Sequence, residues 1–403
     1  MLDALPLVIA LVGLTLYTVL AGADFGAGFW QLFAGRGEHA EAMREHAHHS
    51  MAPVWEANHV WLIFVLTVMW TAYPAAFGSI ASTLAAALFL AGVGIILRGA
   101  SYALRAGIES RREQRLLDAV FAAACLITPF ALGAAAGGIA SERVPVGNAA
   151  GGLFSSWLNP TSILIGVIAV ANSAYLAAVY LAADARRADD PALEDAFRTR
   201  ALGAGVLAGA IAIAGLAVVH ADAHSLFEQL TSGAALGALA VSVLAGVGTL
   251  ALVARRRFEL ARFGAAIAVA AVIAGWALAR YPTLLPGLSV RQAAASHDTL
   301  VTLLVAVLAG AVILFPSLAL LFRLALAGRF GPDAADRDGE RPAARALGAP
   351  LGARVTVALL IAGIGLLNVA SASWAHALGV LSLLAFVVMG FLQIAPRAIA
   401  EEV

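Results

Sequence analysis

The chain has 403 residues, 62% of them hydrophobic and 12% charged. Soluble domains carry about one-quarter charged residues, so this composition excludes a soluble globular protein, a nucleic-acid binder and a disordered chain, and points to a membrane. The formal charge is zero, from 25 arginines and 25 acidic residues, and the single cysteine, Cys125, excludes an internal disulfide and a thiolate-bound cluster.

A membrane-spanning helix needs about 20 apolar residues. In chain order, apolar runs predict spans over 5–33, 51–72, 77–102, 115–139, 161–183, 200–220, 234–254, 260–280, 298–325, 353–371 and 376–395. The runs are continuous rather than alternating, which favours helices over a β-barrel. The fold class is therefore all-α: a polytopic transmembrane protein of 9–11 spans, spaced as two four-helix bundles plus additional helices. The first run lacks a basic leader, since Asp3 is the only early charge and Arg36 the first arginine, so it reads as a true span and not a signal peptide. The last two spans are short and joined by a tight turn near Ser373-Trp374. Between them and the nine-span domain 1–326, segment 327–352 is rich in Gly, Pro and charge and reads as a flexible cytoplasmic linker; the extra helix pair occupies 353–403.

The zero net charge hides a sorted distribution. With the N-terminus outside, 22 of the 25 arginines fall on the inner side, leaving only Arg143, Arg280 and Arg291 outside. That asymmetry is what the positive-inside rule demands.

A charge at the centre of a span costs ~2.5–3.5 kcal/mol, so ionisable groups there are weighed singly. The densest polar cluster runs from Gly22 to Gly28 in span one and from Pro53 to Trp61 at the start of span two. Asp24 reads equally as a proton-path carboxylate or as a structural acid paired with an arginine such as Arg98. Glu56 lies about one turn inside the membrane from the cytoplasmic side, where a buried carboxylate suits the mouth of a proton pathway; the competing reading is an acid favoured by the helix dipole. His59 follows by three residues on the same helix face, and can relay a proton, bind a metal or haem, or serve as a hydrogen-bonded core residue. Trp55 and Trp61 read as packing or interfacial anchors.

The histidine-rich stretch His39, His46, His48 and His49 has no fixed ligand spacing and reads as a solvated cytoplasmic loop. The pair His220 and His224, with Asp222 between them, can chelate a divalent ion if the helix continues through it, and otherwise is a solvated pair at an outer helix end. His297 and His376 are taken as structural, and Asp298 as the cap of span nine. No phosphate loop, catalytic triad, zinc-hydrolase helix, haem attachment motif or dinucleotide fingerprint is present.

Several ordered motifs bring the chain close to a known family. They are Gly-Ala-Asp24-Phe-Gly-Ala-Gly; Pro53-Val-Trp55-Glu56-Ala-Asn58-His59-Val-Trp61; Leu97-Arg98-Gly99; Trp157-Leu-Asn159-Pro160; Arg280-Tyr-Pro-Thr-Leu-Leu-Pro286; Asp298-Thr-Leu; and Phe315-Pro-Ser-Leu. Over roughly residues 5–325 the sequence resembles subunit II of the cytochrome bd-type quinol oxidases. The resemblance implies a chain that holds no catalytic, cofactor-binding or metal-ligating residue of its own. It implies a partner, subunit I, carrying haems b and d and the quinol site, together with small single-span accessory subunits, in a bacterial inner membrane. It also implies that Glu56 occupies the family's proton-uptake position and that Asp24 and Arg98 match family polar positions. The sequence departs from the family pattern at Ala21, where an acid is usual, at Glu56-Ala57-Asn58-His59, and in the C-terminal helix pair. A proton- or ion-coupled transporter using Asp24, Glu56 and His59 is the alternative that the residues alone leave open.

Overall fold

Backbone N–H and C=O groups find no water in a hydrocarbon layer, so long apolar segments satisfy them internally as helices. A computed structural model of the chain describes residues 2–51, 55–105, 108, 110–326, 351–369 and 373–399, some side chains near those boundaries excepted. After a 3-10 turn, Leu2–Ala4, come α1 (Leu5–Leu32), α2 (Glu38–Met51), α3 (Trp55–Ala72), α4 (Pro74–Thr83), α5 (Ala85–Arg105) and α6 (Arg111–Ala140). They are followed by α7 (Pro160–Arg187), α8 (Pro191–Asp222), α9 (His224–Leu230), α10 (Gly233–Ala254) and α11 (Phe258–Arg280). A small antiparallel ribbon, β1 (Thr283–Leu285) with β2 (Leu288–Ser289), leads into α12 (Val290–Ala293) and α13 (His297–Leu326). The last described helices are α14 (Leu351–Val369) and α15 (Ser373–Ile399).

Among the described residues, 7 helices are long and apolar enough to cross a membrane: Leu2–Leu32, Ala85–Arg105, Arg112–Ala140, Pro160–Arg187, Pro191–Asp222, Gly233–Ala254 and Phe258–Arg280. The described apolar stretches of α3, α13, α14 and α15 are shorter, at 10–17 residues. Within the described residues the expected spans fall on helices, and the chain is an all-α polytopic membrane protein. The linker expected at 327–352 lies outside the described residues except for its last two positions, which already belong to α14. The turn expected near Ser373 lies partly outside them.

Two expectations change. The run 77–102 is not one span: it divides at Leu84 into α4 and α5. The Ser79 and Ser82 hydroxyls donate back to the carbonyls of Ala75 and Gly78 (2.7 and 2.6 Å) and accept from the amides of Gly147 and Ala149 (2.9 and 2.7 Å). Such side-chain bonds compete with the helix ladder and bend it. The histidine-rich segment is not a solvated loop either. It is helix α2, whose Ala40, Met43 and Ala47 recur at helical spacing and are at most 3% exposed.

The chain falls into two compact units, residues 1–313 and 314–403. In the first, α1 packs on α2, α3, α6, α7 and α11. Its glycines make this possible. A Cβ on Gly26 would stand 1.8 Å from the Ser173 carbonyl oxygen of α7, and one on Gly28 would stand 2.3 Å from Cys125 Sγ of α6. Small residues let membrane helices approach closely where no hydrophobic force separates lipid from protein. Tyr73, in the break between α3 and α4, holds the start of α1: its hydroxyl donates to the Asp3 carbonyl (2.6 Å) and accepts from the Leu7 amide (3.0 Å). That amide is one of the donors a helix start leaves unsatisfied. Burial pushes the Tyr73 phenol up to about 12, so it remains a donor at neutral pH.

Ion pairs tie helix ends together at both ends of this unit. At the arginine-rich end, Arg187 meets Glu259 (2.8 Å), Arg256 meets Glu194 and Asp195 (2.6 and 2.5 Å), and Arg105 meets Asp118 (2.8 Å). At the opposite end, Arg280 pairs with Glu142, and Arg143 with Asp222 (2.7 Å). The Asp222 carboxylate also accepts from the Thr161 amide and hydroxyl (3.1 and 2.7 Å), and Asn159 caps α7 by accepting from the Ser162 amide (2.9 Å). Asp298 does not cap α13. It is fully exposed, and Ser296 Oγ accepts the Thr299 amide instead (3.4 Å). In the second unit α14 and α15 pack on each other, with Gly363 against Leu383, where a Cβ would lie 2.6 Å from Leu383 Cγ.

The Gly26 contact yields a sharp expectation. Gly26→Ala forces the α1 and α7 backbones apart, at a cost above ~3 kcal/mol by comparison with side-chain overpacking. Gly209→Ala, where a Cβ meets nothing within 4 Å, leaves the fold unchanged. Detergent size-exclusion profiles and thermal midpoints of the two tagged variants check this; equal behaviour would refute it.

Candidate functional site

The most deeply buried charges in the first unit meet at one place. Asp24 of α1 is 1% exposed and Arg98 of α5 is 4% exposed, and Arg98 Nη2 donates to Asp24 Oδ1. The two readings of Asp24 therefore share a common partner: the acid is paired, and with the arginine named for it. The Arg98 guanidinium also lies 5.3 Å from the ring centroids of Phe25 and Phe121, so aromatic faces flank the buried cation. Cys125, also buried, faces the same guanidinium.

Helix α3 supplies the third wall. Asn58 is fully buried beside Asp24, and its amide stands outside normal hydrogen-bond geometry with the carboxylate. The His59 ring sits between Tyr17 and Phe25, edge-on to both at centroid distances of 6.3 Å. Trp61 packs against this cluster and lies 6.2 Å from Phe64. Glu56 and Trp55 fall in the first turn of α3, and their side chains lie outside the described residues.

The arginine-rich end closes over this group with α2. His48 stacks on Tyr102 of α5, with ring centroids 4.8 Å apart. Asp24, Arg98, His48, Tyr102 and Phe121 line a cavity of about 10 Å³, room for about one water molecule. His46, two residues earlier on α2, reaches the Leu181 carbonyl of α7 through Nε2 (3.1 Å). A buried ion pair thus stands beside a water-sized cavity and an imidazole of α2.

The fold brings together Asp24, Arg98, Asn58 and His59, all conspicuous in the sequence, and adds Tyr17, His48, Tyr102, Phe121 and Cys125, which are not marked there as members of the site. Two of these carried a readable signal: Tyr102 follows Arg98 by one helical turn, and the Ala40–Met43–Ala47 spacing marks α2 as a packed helix that delivers His48.

Elsewhere the candidates are dispersed. The His220 and His224 rings lie 4.7 Å apart, but α8 ends at Asp222 and Ala223 leaves helical geometry (φ −137°, ψ 60°). The helix continuity needed for chelation is broken there, and His224 pairs with Glu228 (3.3 Å). Among the described residues no group of three or more His, Cys, Asp or Glu is arranged to hold a metal ion. His297 is exposed beside Asp298 (3.5 Å), and the His376 side chain lies outside the described residues.

Removing one member of a buried ion pair strands the other charge, at a cost of about 3–5 kcal/mol. Arg98→Gln and Asp24→Asn should each lower the thermal midpoint clearly, whereas the double variant, which leaves no stranded charge, should recover part of the loss. A double variant less stable than the sum of the singles would refute the pairing.

With this geometry in place, similarity to known proteins is informative. Residues 2–325 match the family described as "Cytochrome bd terminal oxidase subunit II". The chain is 28% identical over 184 residues to "Cytochrome bd-I ubiquinol oxidase subunit 2" of Escherichia coli (strain K12), covering 42% of this chain and 46% of that protein. It is 28% identical over 114 residues to "Cytochrome bd ubiquinol oxidase subunit 2" of Bacillus subtilis (strain 168), covering 28% of this chain and 33% of the relative. The chain thus spans about half the length, or less, of these curated relatives. In fold it is similar to a chain of the bd oxidase structure from Geobacillus thermodenitrificans, with a TM-score of 0.63, 24% identity, and coverage of 81% of this chain and 98% of that one. Motifs, fold and family match converge, and the chain belongs to the cytochrome bd terminal oxidase subunit II family.

Proposed function

We propose that this chain is the non-haem subunit II of a bd-type terminal quinol oxidase. In this reading it braces a haem-bearing subunit I, with small single-span accessory subunits beside them, in a bacterial inner membrane with its N-terminus outside. The complex oxidises quinol near the outer face and reduces dioxygen to water with protons drawn from the cytoplasm. The proton-motive force then arises from where protons are released and consumed, without pumping. Haems b and d belong to subunit I, and they supply the electron transfer and oxygen chemistry. The family match and the relatives' names support the assignment to an oxidase.

The observation that carries the proton role is the buried Asp24–Arg98 pair beside Asn58 and His59, reached from the arginine-rich end. By the positive-inside rule that end is cytoplasmic. Glu56, one turn before His59, is the uptake residue at that mouth, and His59 relays toward Asp24. The His48–Tyr102 cavity offers the same pair a second approach through a single water. The pair itself holds a net-neutral polar spot in the hydrocarbon layer, so a proton can approach without crossing a purely apolar wall. Residues 327–350 are proposed as the cytoplasmic linker to an added helix pair that begins at Leu351.

The test is tagged purification followed by a haem spectrum and quinol-dependent O₂ uptake. A haem-bearing partner should co-purify; a stable preparation without one would overturn the assignment. Glu56→Gln should slow turnover about tenfold or more, as loss of a positioned proton-transfer group does, while leaving the haem spectrum intact. Unchanged turnover would reduce this chain to a scaffold, and lost haem would make Glu56 structural.

A further inference from the structure

A second cavity, separate from the polar cluster, opens among α1, α6, α7 and α8. It measures about 440 Å³, the size of small-molecule sites, and its walls are almost wholly apolar. One stripe of α8 forms a side of it: Arg200, Gly203, Ala204, Leu207 and Ile211, spaced as one helical face. Gly203 and Ala204 leave the space open, and a Cβ on Gly203 would meet no atom within 4 Å. Trp30 of α1 shares the lining, with the Arg200 guanidinium over its ring.

Among the described residues, Arg200 is the only charged one lining this space. Its Nη1 donates to the Ala196 carbonyl (3.1 Å), and its guanidinium lies 5.8 Å from the Trp30 ring. Among the described residues no carboxylate lies within ion-pair distance of it, whereas Arg44, Arg105, Arg187, Arg256 and Arg262 at the same end each hold one. The Trp30 indole N–H is already used, donating to the Ala174 carbonyl (2.8 Å). The cation is therefore the one strong polar feature the cavity presents.

Depth sets what can reach it. Helix α8 has 32 residues, about 48 Å at 1.5 Å per residue, against a hydrocarbon layer of ~30 Å. If α8 is centred, Arg200 lies roughly 5 Å inside the layer's boundary, so its side chain reaches the phosphate plane by snorkelling. From there the stripe to Ile211 runs toward the middle of the membrane. A cation at headgroup depth above an apolar cleft is complementary to one kind of molecule: an anionic amphiphile. We infer that this cleft is a binding site for an anionic phospholipid of the inner leaflet, its phosphate on Arg200 and an acyl chain along α8. The inference does not depend on the oxidase reading.

The test is native mass spectrometry of the purified complex in detergent, titrated with phosphatidylglycerol or phosphatidylcholine carrying the same acyl chains. Phosphatidylglycerol should bind at lower concentration. Arg200→Gln should weaken it about tenfold, the loss of one charge-assisted contact, and leave phosphatidylcholine unchanged. Gly203→Leu, which extends into open space, should weaken both without lowering the thermal midpoint. Equal binding of the two lipids, full phosphatidylglycerol binding by Arg200→Gln, or a co-purifying isoprenoid quinone that blocks both lipids would each overturn the assignment.

Discussion

The close approach of α1 to α7 is the constraint on which the first unit depends. In a membrane the gain from burying apolar surface is largely gone, because lipid is as apolar as leucine. What remains is contact distance, and Gly26 against the Ser173 carbonyl lets the helices touch where any side chain would collide. Two residues earlier on the same helix, Asp24 is carried into the interior, where Arg98 of α5 meets it. One run of small residues therefore sets both the packing of α1 and the depth of its charge. The pair is tolerated because each charge cancels the other and aromatic rings flank the cation.

Polar chemistry is divided by depth. At the helix ends, ion pairs such as Arg187–Glu259 between helices and Arg143–Asp222 between a connection and a helix end lie in reach of water, where each contributes modestly and together they hold the ends in register. In the interior, polar groups gather at the Asp24 cluster. Arg200 is intermediate, at the edge of an apolar cleft with an aromatic ring in place of an acid. The acids at the ends match helix termini as well as arginines: Asp222 serves Arg143 and the start of α7 at once.

Much of this was legible in the residues. Each described apolar run is helix because lipid offers no other backbone partner, and the pairing of Asp24 with Arg98 is one of the two equal readings that Asp24 offers in the sequence. The bend at Leu84 was not legible, because it depends on Ser79 and Ser82 meeting the amides of Gly147 and Ala149, 68 and 67 residues away in sequence. In helix α2 four histidines and several charges mask a short apolar stripe, so the segment reads as loop in the sequence. Asp298 had the right residue type for a cap at the right place, yet Ser296, two residues earlier, had the better register.

By itself the sequence determined the solvent, the class of fold, the direction of the helices relative to the arginine-rich side, and the family. These follow from composition, from run length and from local motifs, which need no knowledge of what packs on what. Only the tertiary structure decided which buried groups face one another: that His48 and Tyr102 cover the Asp24–Arg98 pair, that Cys125 and Phe121 complete its walls, and that His220 and His224 do not share a continuous helix. The physical reason is that a helix's hydrophobic pattern says which residues prefer lipid, whereas in a nearly all-apolar chain almost every face qualifies. The choice among faces then falls to the shape of small residues and to a few polar partners far apart in sequence.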